Sequence, residues 1–489
     1  MALSSSETPA KLSPFLAELV SAQTVEITQF SKLGGGAIQE NWRLDFTADT
    51  ADAGTKQFQW VLRTDSPSGL LASWSKAQEY AILDVAHRHD VLVPKPVIYC
   101  AAPSPIGPEF YLMERRAGEA RGPKLVKDPA IAAGGDDLVA QLGGQLARIH
   151  RIGADAAALA FIDRPSVHPA LARIEELRRY LISQAEPQPV IELALCWMAD
   201  NLPPSSRLCL NHGDLRTGNF LVDDGRLSAI LDWEFATFSD PLDDIGWMLA
   251  RCWRFGVFQR EAGGLGSAEG FLRAYETESR TIIDRDQIPY WQLLATVRWA
   301  VIALEQAARA YEQGEASLEL ALTAEVVPAL EWDILDALDA LSGQAPEVAD
   351  RPPPNAAVSG EARSPDVAKT MALLRLAEHS LNETVRPNLA GHAKFVASMV
   401  ARSIQITTQR LELAPQHQGR LEADLVELLP SSTASNSRDL QVDLVKRLRD
   451  GRHDAAWFGQ LRQTMRGWVG DRLAISDPTY VERLRAGGQ

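Results

Sequence analysis

Apolar and polar residues alternate along residues 26–116 in the manner of β-strands, with turn residues between the alternating runs. That period of two is what a half-buried strand requires. The predicted strands are EITQFSKL, NWRLDF, FQWVLRT, VIYC and EFYLMER. The run from Ser73 to Asp90 instead follows helical spacing after a serine. The pattern predicts that a sheet starts the chain, with one helix inserted among its strands.

From about residue 130 the apolar period becomes that of helices. One strand-like island, residues 208–231, carries a hairpin signal at Asp224-Gly225. The predicted fold class is therefore α+β, with a mostly antiparallel sheet lobe at 1–116 and a helical lobe at 117–341. The predicted helices of this lobe lie at 136–153, 172–184, 189–202, 288–314 and 318–341.

Residues 342–365 are rich in Pro, Gly, Ala and Ser and lose the apolar period on either side, which predicts a linker. Beyond it, residues 366–489 show helical periodicity again. We expect a small all-α domain there, of a size that can fold as its own unit. This domain is also a candidate surface for forming a homo-oligomer.

The charge balance excludes some partners. The 489 residues carry a formal net charge of −15, with a pI near 5.2. Such a field repels phosphate backbones and anionic lipid, so nucleic acid and membranes are not expected partners. Residues 366–489 carry +3 and residues 1–365 carry −18. Four scattered cysteines without a CxxC pair, and no signal peptide or long apolar run, predict a cytoplasmic protein.

Three oxygen-bearing side chains stand in a compact order in and after the strand-like island. Asp214 lies in Asn-His-Gly-Asp, Asn219 follows five residues later, and Asp232 lies in Leu-Asp-Trp-Glu. Phosphoryl transfer needs a base near the attacking hydroxyl and Mg²⁺ held by carboxylate and amide oxygens. Asp214 is therefore the candidate base, with Asn219 and Asp232 as candidate metal ligands. Taken singly, each residue is explained as well by a cap or an Asx turn; the three together favour a site.

The signature HGDxxxxN followed by an apolar strand ending in DW closely resembles the aminoglycoside phosphotransferase and choline kinase family of small-molecule kinases. The resemblance covers about residues 20–340 and implies a protein-kinase-like bilobal fold, with ATP and Mg²⁺ as cofactors. It also implies that Asp244 braces the catalytic loop through backbone hydrogen bonds. His212 is interpreted as structural support for that loop rather than as an acid.

The same resemblance assigns nucleotide-binding residues in the sheet lobe. Arg63 matches the basic strand residue that grips the phosphates, where the family more often has lysine, and Glu79 matches its helix partner. A surface strand charge and a solvated helix charge are the alternative interpretations of these two residues. A glycine-rich turn is a candidate to approach the phosphates, although a plain hairpin turn also explains it; its residues are Gly34, Gly35 and Gly36. A hinge is the candidate to hold adenine, and its residues are Met113, Glu114 and Arg115.

The resemblance implies that the acceptor is a small molecule with a hydroxyl group, and its identity stays open. The VLR strand and residues 230–249 resemble the kinase domains fused to acyl-CoA dehydrogenases, which implies 4-hydroxyacyl-CoA as acceptor. The tail resembles a small helical protein of unknown role that accompanies such kinases. Candidate acceptor-binding residues are Glu234, Trp253 and Arg116, although core packing and a solvated loop also explain the last two. An aminoglycoside or amino-alcohol kinase, and a catalytically silent nucleotide-binding scaffold, are the alternatives.

Overall fold

The computed structural model describes residues 3–4, 7–33, 39–50, 54–65, 74–204, 207–343, 365–451 and 455–487. The chain forms two compact units, one from residues 1–169 and 205–285, the other from residues 170–204 and 286–489. Each is described by itself. The domain boundaries after residues 116, 341 and 365 remain a prediction, and most of the predicted linker, residues 344–364, lies outside the described residues.

The first unit contains a five-stranded antiparallel sheet with strand order β1-β2-β3-β5-β4. Each predicted strand is present, extended by a few residues at one or both ends in most cases. The helix predicted from Ser73 also forms, with Ser75 as its N-cap in a capping box with Gln78. The strands are β1 (Ala22–Lys32), β2 (Gln39–Thr50), β3 (Gly54–Asp65), β4 (Pro96–Cys100) and β5 (Phe110–Glu114), with helix α2 (Lys76–Arg88) between β3 and β4.

A helix, and not the sheet, comes first in the chain. This helix, α1 (Thr8–Leu19), starts with proline in its first turn and carries a second proline, Pro14. The sequence pattern did not indicate it, because two prolines within twelve residues are a signal against a helix. Its residues Leu12 and Leu16 are fully buried and join Leu44 and Phe110 in the core on one face of the sheet. That buried apolar surface is what holds the helix against the sheet.

The rest of the first unit surrounds two short antiparallel ribbons, β6 with β9 and β7 with β8. The predicted hairpin turn lies between β7 and β8, where Asp224 and Gly225 have φ of +48° and +73°. Two consecutive positive φ angles are those of a type I′ turn, which Asp-Gly favours. The elements are α3 (Gly122–Leu125), α4 (Pro129–Ile149), β6 (Cys209–Asn211), β7 (Phe220–Asp223), β8 (Arg226–Ile230), β9 (Thr237–Ser239), α7 (Pro241–Leu249) and α8 (Ala268–Ser279), while α5 (Pro169–Ser183) and α6 (Pro189–Asp200) follow α4 in the chain.

The second unit is helical in all of its described residues, apart from connecting turns. Its core runs through α9 and α11, whose apolar residues are buried along most of their length. The predicted sheet lobe followed by a mostly helical remainder is therefore confirmed. Besides α5 and α6, the unit contains α9 (Ile288–Tyr311), α10 (Leu318–Thr323), α11 (Val327–Leu341), α12 (Pro365–Ser380), α13 (Gly391–Leu428), α14 (Ser437–Arg449), α15 (Ala455–Ser476) and α16 (Tyr480–Gly487).

Arginines of the tail helices bind carboxylates of the preceding helices within this second unit. Asp339 of α11 accepts from Arg462 at 2.9 Å and from Arg466 at 2.5 Å, and all three residues are buried. On α6, Glu192 is 1% exposed and binds Arg449 at 2.7 Å. The tail therefore supplies the positive partners and the earlier helices the negative ones.

Among the helices that the structure describes, none combines the length and the apolar character needed to cross a lipid bilayer.

Candidate active site

The loop at residues 212–219 follows β6 and carries the predicted base. Gly213 has φ of +76°, and a Cβ atom there would lie 2.1 Å from the carbonyl oxygen of Phe235, so only glycine fits. The carboxylate of Asp244, in the first turn of α7, accepts the amide N–H groups of His212 at 2.6 Å and Gly213 at 2.9 Å. Helix α7 thus fixes the loop backbone immediately before Asp214.

His212 is buried and ties the loop to the end of β8. Its Nε2 lies 2.9 Å from the carbonyl oxygen of Leu231, and its Nδ1 accepts the amide N–H of Asp214 at 3.2 Å. These two partners select the neutral tautomer that carries its proton on Nε2. Burial, the largest influence, lowers the pKa of His212 and keeps the ring uncharged. The geometry is that of a structural residue.

Asp244 is itself held by a buried histidine. His150, the residue after α4, lies with Nε2 3.3 Å from Asp244 Oδ2 and Nδ1 2.9 Å from the hydroxyl of Tyr275. Burial by itself would raise the pKa of Asp244, but the hydrogen bonds with His150 and with the Gly213 amide help to bring the pKa below its usual value. Asp244 therefore stays ionised as the acceptor for the loop.

Three donors hold the carboxylate of Asp214, which is 8% exposed. Asn219 Nδ2 donates to Oδ2 at 2.5 Å, while Trp247 Nε1 at 2.9 Å and Arg216 Nε at 3.1 Å donate to Oδ1. A carboxylate offers about four lone-pair positions, so the three donors leave room for one more. An acceptor hydroxyl is the hydrogen-bond partner that this remaining position suits.

Asn219 and Asp232 stand on either side of the β7–β8 hairpin, which returns the chain so that the Leu231 amide donates to the Asn219 carbonyl at 2.8 Å. With its side-chain nitrogen facing Asp214, Asn219 has its amide oxygen to offer a cation. In the described part of the chain, no group of three His, Cys, Asp or Glu residues is placed to hold a metal ion. One amide and one carboxylate nevertheless suit Mg²⁺, which completes its shell with water and phosphate oxygens.

Asp232 has a backbone conformation that non-glycine residues rarely adopt, with φ of +67°. Its Oδ1 accepts from Arg63 Nη2 at 2.7 Å. Burial would raise the pKa of Asp232, but the charge and hydrogen bond of Arg63 outweigh it and lower the pKa. The carboxylate of Asp232 is therefore anionic, as a metal ligand has to be, and its present cationic partner is Arg63.

Arg63 is 6% exposed on β3 and binds a second carboxylate, with Nε 2.7 Å from Glu79 Oε1 on α2. Burial opposes its charge, yet the carboxylates of Glu79 and Asp232 keep the pKa of Arg63 well above its usual value. Glu79 also accepts from the fully buried Lys76 at 2.8 Å. The ion pair between Arg63 on the strand and Glu79 on the helix is thus present, and Lys76 binds the same carboxylate.

Of the two other predicted nucleotide-binding segments, the structure describes the hinge but not the glycine-rich turn. Gly34, Gly35 and Gly36 lie outside the described residues, so their predicted approach to the phosphates stays a prediction. In the hinge, the amides of Glu114 and Arg115 donate to the carbonyl oxygens of Lys95 and Gln59 at 2.9 and 2.8 Å. These two amides are used within the sheet lobe, and the binding of adenine by this segment stays a prediction.

The predicted acceptor-binding residues lie in different surroundings. Glu234 is 5% exposed, and burial, together with the charge of Asp232, raises the pKa of Glu234 to about 8. Trp253 is buried, and the guanidinium of Arg216 lies 4.6 Å above its ring. Arg116 is exposed and donates to the Ser228 carbonyl oxygen at 3.3 Å.

The hinge and the segment after it form a basic group, whose members are Arg115, Arg116, Arg121, Lys124 and Lys127. Carboxylates neutralise part of this group. Arg115 binds Asp45 at 3.1 Å, while Arg121 and Lys124 bind Glu119 at 2.8 and 2.7 Å. The hydrogen bond from Arg121 is the main reason that the pKa of Glu119 is lowered. These three positive charges are therefore less available to an anionic acceptor.

Residues of the site that sequence reasoning left without a role are Arg216 and Lys76. Arg216 lies inside the signature itself, two positions after Asp214, and its placement in the loop was a usable signal. Lys76 gave no such signal, because a lysine in the first turn of a helix is ordinarily solvated. Trp247 is 2% exposed and so part of the core, and its indole N–H also donates to Asp214.

Comparison with known proteins agrees with this geometry. Residues 29–280 match the model of the phosphotransferase enzyme family, and residues 387–480 match a domain of unknown function (DUF6285). A solved structure of a putative aminoglycoside phosphotransferase from Ralstonia eutropha superposes with a TM-score of 0.51 at 20% identity, over 66% of this chain and 95% of that one. The kinase-like fold expected from the sequence is confirmed.

Two curated relatives carry the word dehydrogenase in their names. Acyl-CoA dehydrogenase family member 11 of Rattus norvegicus is 30% identical over 197 residues, which is 38% of this chain and 24% of that protein. A probable acyl-CoA dehydrogenase of Arabidopsis thaliana is 28% identical over 250 residues, or 48% of this chain and 29% of that protein. The match thus spans about a quarter of the length of these relatives.

Proposed function

The chain belongs to the phosphotransferase enzyme family, and from that premise we propose an ATP- and Mg²⁺-dependent kinase that phosphorylates a hydroxyl group of a small molecule. The observation that carries the proposal is the ordered carboxylate of Asp214, bound by Asn219 at 2.5 Å on the same loop. On the other side of the β7–β8 hairpin, Arg63 binds Asp232 at 2.7 Å. The proposed base, the two proposed metal ligands and the arginine proposed to bind phosphate all lie in the first compact unit.

In this proposal Asp214 accepts a hydrogen bond from the acceptor hydroxyl and takes up its proton as the oxygen attacks. Arg63 binds phosphate oxygens of ATP and orients them. Asn219 and Asp232 would hold Mg²⁺, which neutralises charge on the phosphate groups when bound. Arg63 stands where lysine is more common, and its planar guanidinium contacts Glu79 and Asp232 through different nitrogens.

For the acceptor we propose 4-hydroxyacyl-CoA. Support comes from the similarity to relatives named as acyl-CoA dehydrogenases, which agrees with the resemblance of residues 230–249. An aminoglycoside or amino-alcohol is the second candidate, and the charge of −18 on residues 1–365 favours such cationic acceptors. The neutralised basic group near the hinge also favours it.

The test is ADP release by the full-length chain with ATP and Mg²⁺ over a panel of acceptors. The panel contains a 4-hydroxyacyl-CoA, an aminoglycoside, choline and ethanolamine. Release that is fastest with the hydroxyacyl-CoA, and absent in the D214A variant, supports the proposal. Faster release with a cationic acceptor overturns the acyl-CoA assignment and retains the kinase. Binding of Mg·ATP without release on any acceptor favours the nucleotide-binding scaffold instead.

A cytoplasmic location and a homo-oligomer through residues 366–489 also remain proposals. The four cysteines are scattered along the sequence without a CxxC pair, which supports a reducing compartment. Size-exclusion chromatography with light scattering on the full-length chain tests the oligomer.

A further inference from the structure

Arg216 is the most exposed of the three donors to Asp214. Its side chain is 27% exposed, whereas Asn219 and Trp247 are 5% and 2% exposed as residues. Asn219 is fixed by the turn in which its amide donates to the Arg216 carbonyl, and Trp247 lies in α7. Arg216 is therefore the donor that can change partner without a shift of the backbone.

The guanidinium of Arg216 is positioned by stacking rather than by burial. It lies 4.6 Å above the ring of Trp253, which is 5% exposed and packs against Trp247 with ring centroids 5.2 Å apart. Nε is the atom that binds Asp214. Nη1 donates to the carbonyl oxygen of Thr217 at 3.5 Å. A guanidinium has five N–H donors, so contact with an aromatic face leaves others for a further partner.

The position of this cation fits a phosphoryl group in transfer. Arg216 contacts the proposed base directly, and its charge also contributes to the lowered pKa of Asp232, so it lies within electrostatic reach of both sides of the site. The phosphoryl group has to pass from the metal ligands to the hydroxyl at the base. Its three oxygens carry the developing charge, and an arginine fork binds such oxygens through two parallel hydrogen bonds.

We propose that Arg216 is a further catalytic residue, which leaves Asp214 and donates to the phosphoryl group in transfer. This inference rests on the proposed kinase function. In the step, the acceptor oxygen bonds to the γ-phosphorus as the bond from that phosphorus to the β–γ bridging oxygen breaks. The bridging oxygen leaves with the electron pair as part of ADP, and the hydroxyl proton goes to Asp214.

Arg216 thus exchanges one anionic partner for another. In the free protein it pairs with Asp214 and limits the negative charge around the base. During transfer it complements Arg63, which acts from the side of the leaving group. The stack on Trp253 holds the guanidinium plane near both positions.

The test uses binding of Mg·ADP with and without aluminium fluoride, which mimics the planar phosphoryl group and requires no knowledge of the acceptor. Calorimetry is performed on the full-length wild type, R216M, R216K and R164M. Arg164 is the matched control, because its guanidinium also stacks on a buried ring, that of Phe238, at 5.0 Å. Thermal unfolding of each variant verifies that it is folded.

We expect aluminium fluoride to tighten ADP binding by the wild type and by R164M. R216M should lose about tenfold or more of that tightening, in line with the loss of one preorganised donor to a transition state. Its affinity for Mg·ADP alone should stay within about twofold of wild type. R216K, which keeps the charge but not the fork, should lose less than R216M.

The outcomes separate the two proposals. Full tightening in a folded R216M overturns the role of Arg216 and leaves the kinase proposal standing. The same holds if the wild type binds Mg·ADP but shows no tightening with the fluoride, since there is then no stabilisation for Arg216 to supply. If the wild type does not bind Mg·ADP at all, the kinase proposal fails, and the inference fails with it.

Discussion

Arg63 and Asp232 are 169 positions apart in the chain, yet Nη2 of one donates to Oδ1 of the other at 2.7 Å. The same guanidinium contacts Glu79, so one buried cation joins β3, α2 and the end of β8. Arg63 thereby occupies Oδ1 of Asp232, an oxygen that the proposed metal ion would use. Binding of Mg·ATP is therefore expected to move Arg63 from this oxygen to the phosphates.

Replacing Arg63 should weaken nucleotide binding. We expect R63M to lower the affinity for Mg·ATP about tenfold or more, since a charge-assisted, fork-like contact to phosphate is lost and two carboxylates are left facing each other. R63K should fall between R63M and wild type. Calorimetric titration measures the effect, with R88M as control because Arg88 forms an exposed pair with Asp84 on α2. An affinity of R63M equal to wild type would exclude the phosphate contact.

Replacing Asp214 should separate turnover from binding. In the D214A variant we expect turnover on the best acceptor to fall about 10²–10⁴-fold, the usual contribution of a general base. Binding of Mg·ATP should be largely retained. The comparison is D223A, which removes an exposed carboxylate at the end of β7. Equal loss of binding and turnover in D214A would point to a folding defect, and turnover near wild type would rule out the base.

Glu234 should make stability fall with rising pH. Burial and Asp232 raise the pKa of Glu234 to about 8, whereas an unfolded glutamate titrates near 4.3. Between these values the folded chain keeps a proton that the unfolded chain releases, so the free energy of unfolding decreases as pH rises, by at most about 1.4 kcal/mol per pH unit from this group.

The measurement is urea unfolding at several pH values between 5 and 8, for wild type and E234Q. The amide cannot ionise, so E234Q should show a shallower decline in the free energy of unfolding. E26Q, at an exposed position of β1, should keep the slope of wild type. Identical slopes for E234Q and wild type would show that Glu234 does not hold the proton.

Asp339 should be important for the stability of the second unit. Removing its carboxylate in D339A leaves Arg462 and Arg466 buried without this partner, and breaking a buried pair in this way costs about 3–5 kcal/mol. Chemical denaturation followed by circular dichroism measures the loss. R375M removes an exposed pair with Glu412 and should cost about 1 kcal/mol or less. A D339A variant as stable as R375M would contradict the contact.

The positions of the strands along the chain and the site signature were readable from the sequence because both are local. Alternation over a few residues predicts a strand, and Asp224-Gly225 specifies a turn whose φ angles only a few residue types adopt. The spacing of Asp214 and Asn219 likewise lies within one loop. These features do not depend on where the rest of the chain goes.

Contacts between distant segments were not readable without the family resemblance. Nothing local tells which carboxylate Arg63 will meet across 169 positions, or that Lys76 will be fully buried beside Glu79. In the sequence, the arginines of α15 contribute only to the net charge of +3 on residues 366–489. A net charge gives the sign of a surface but does not identify the carboxylates that each arginine binds. Helix α1 was missed because the burial of Leu12 and Leu16 outweighs its two prolines.

The pairing of tail arginines with carboxylates of α6 and α11 constrains how this sequence can diverge. A substitution at Asp339 or Glu192 is tolerated only together with a change at the arginines that it binds. A relative that has lost residues 366–489 should therefore show neutral or apolar side chains at the corresponding positions of these two helices, or keep a separate basic protein to cover them.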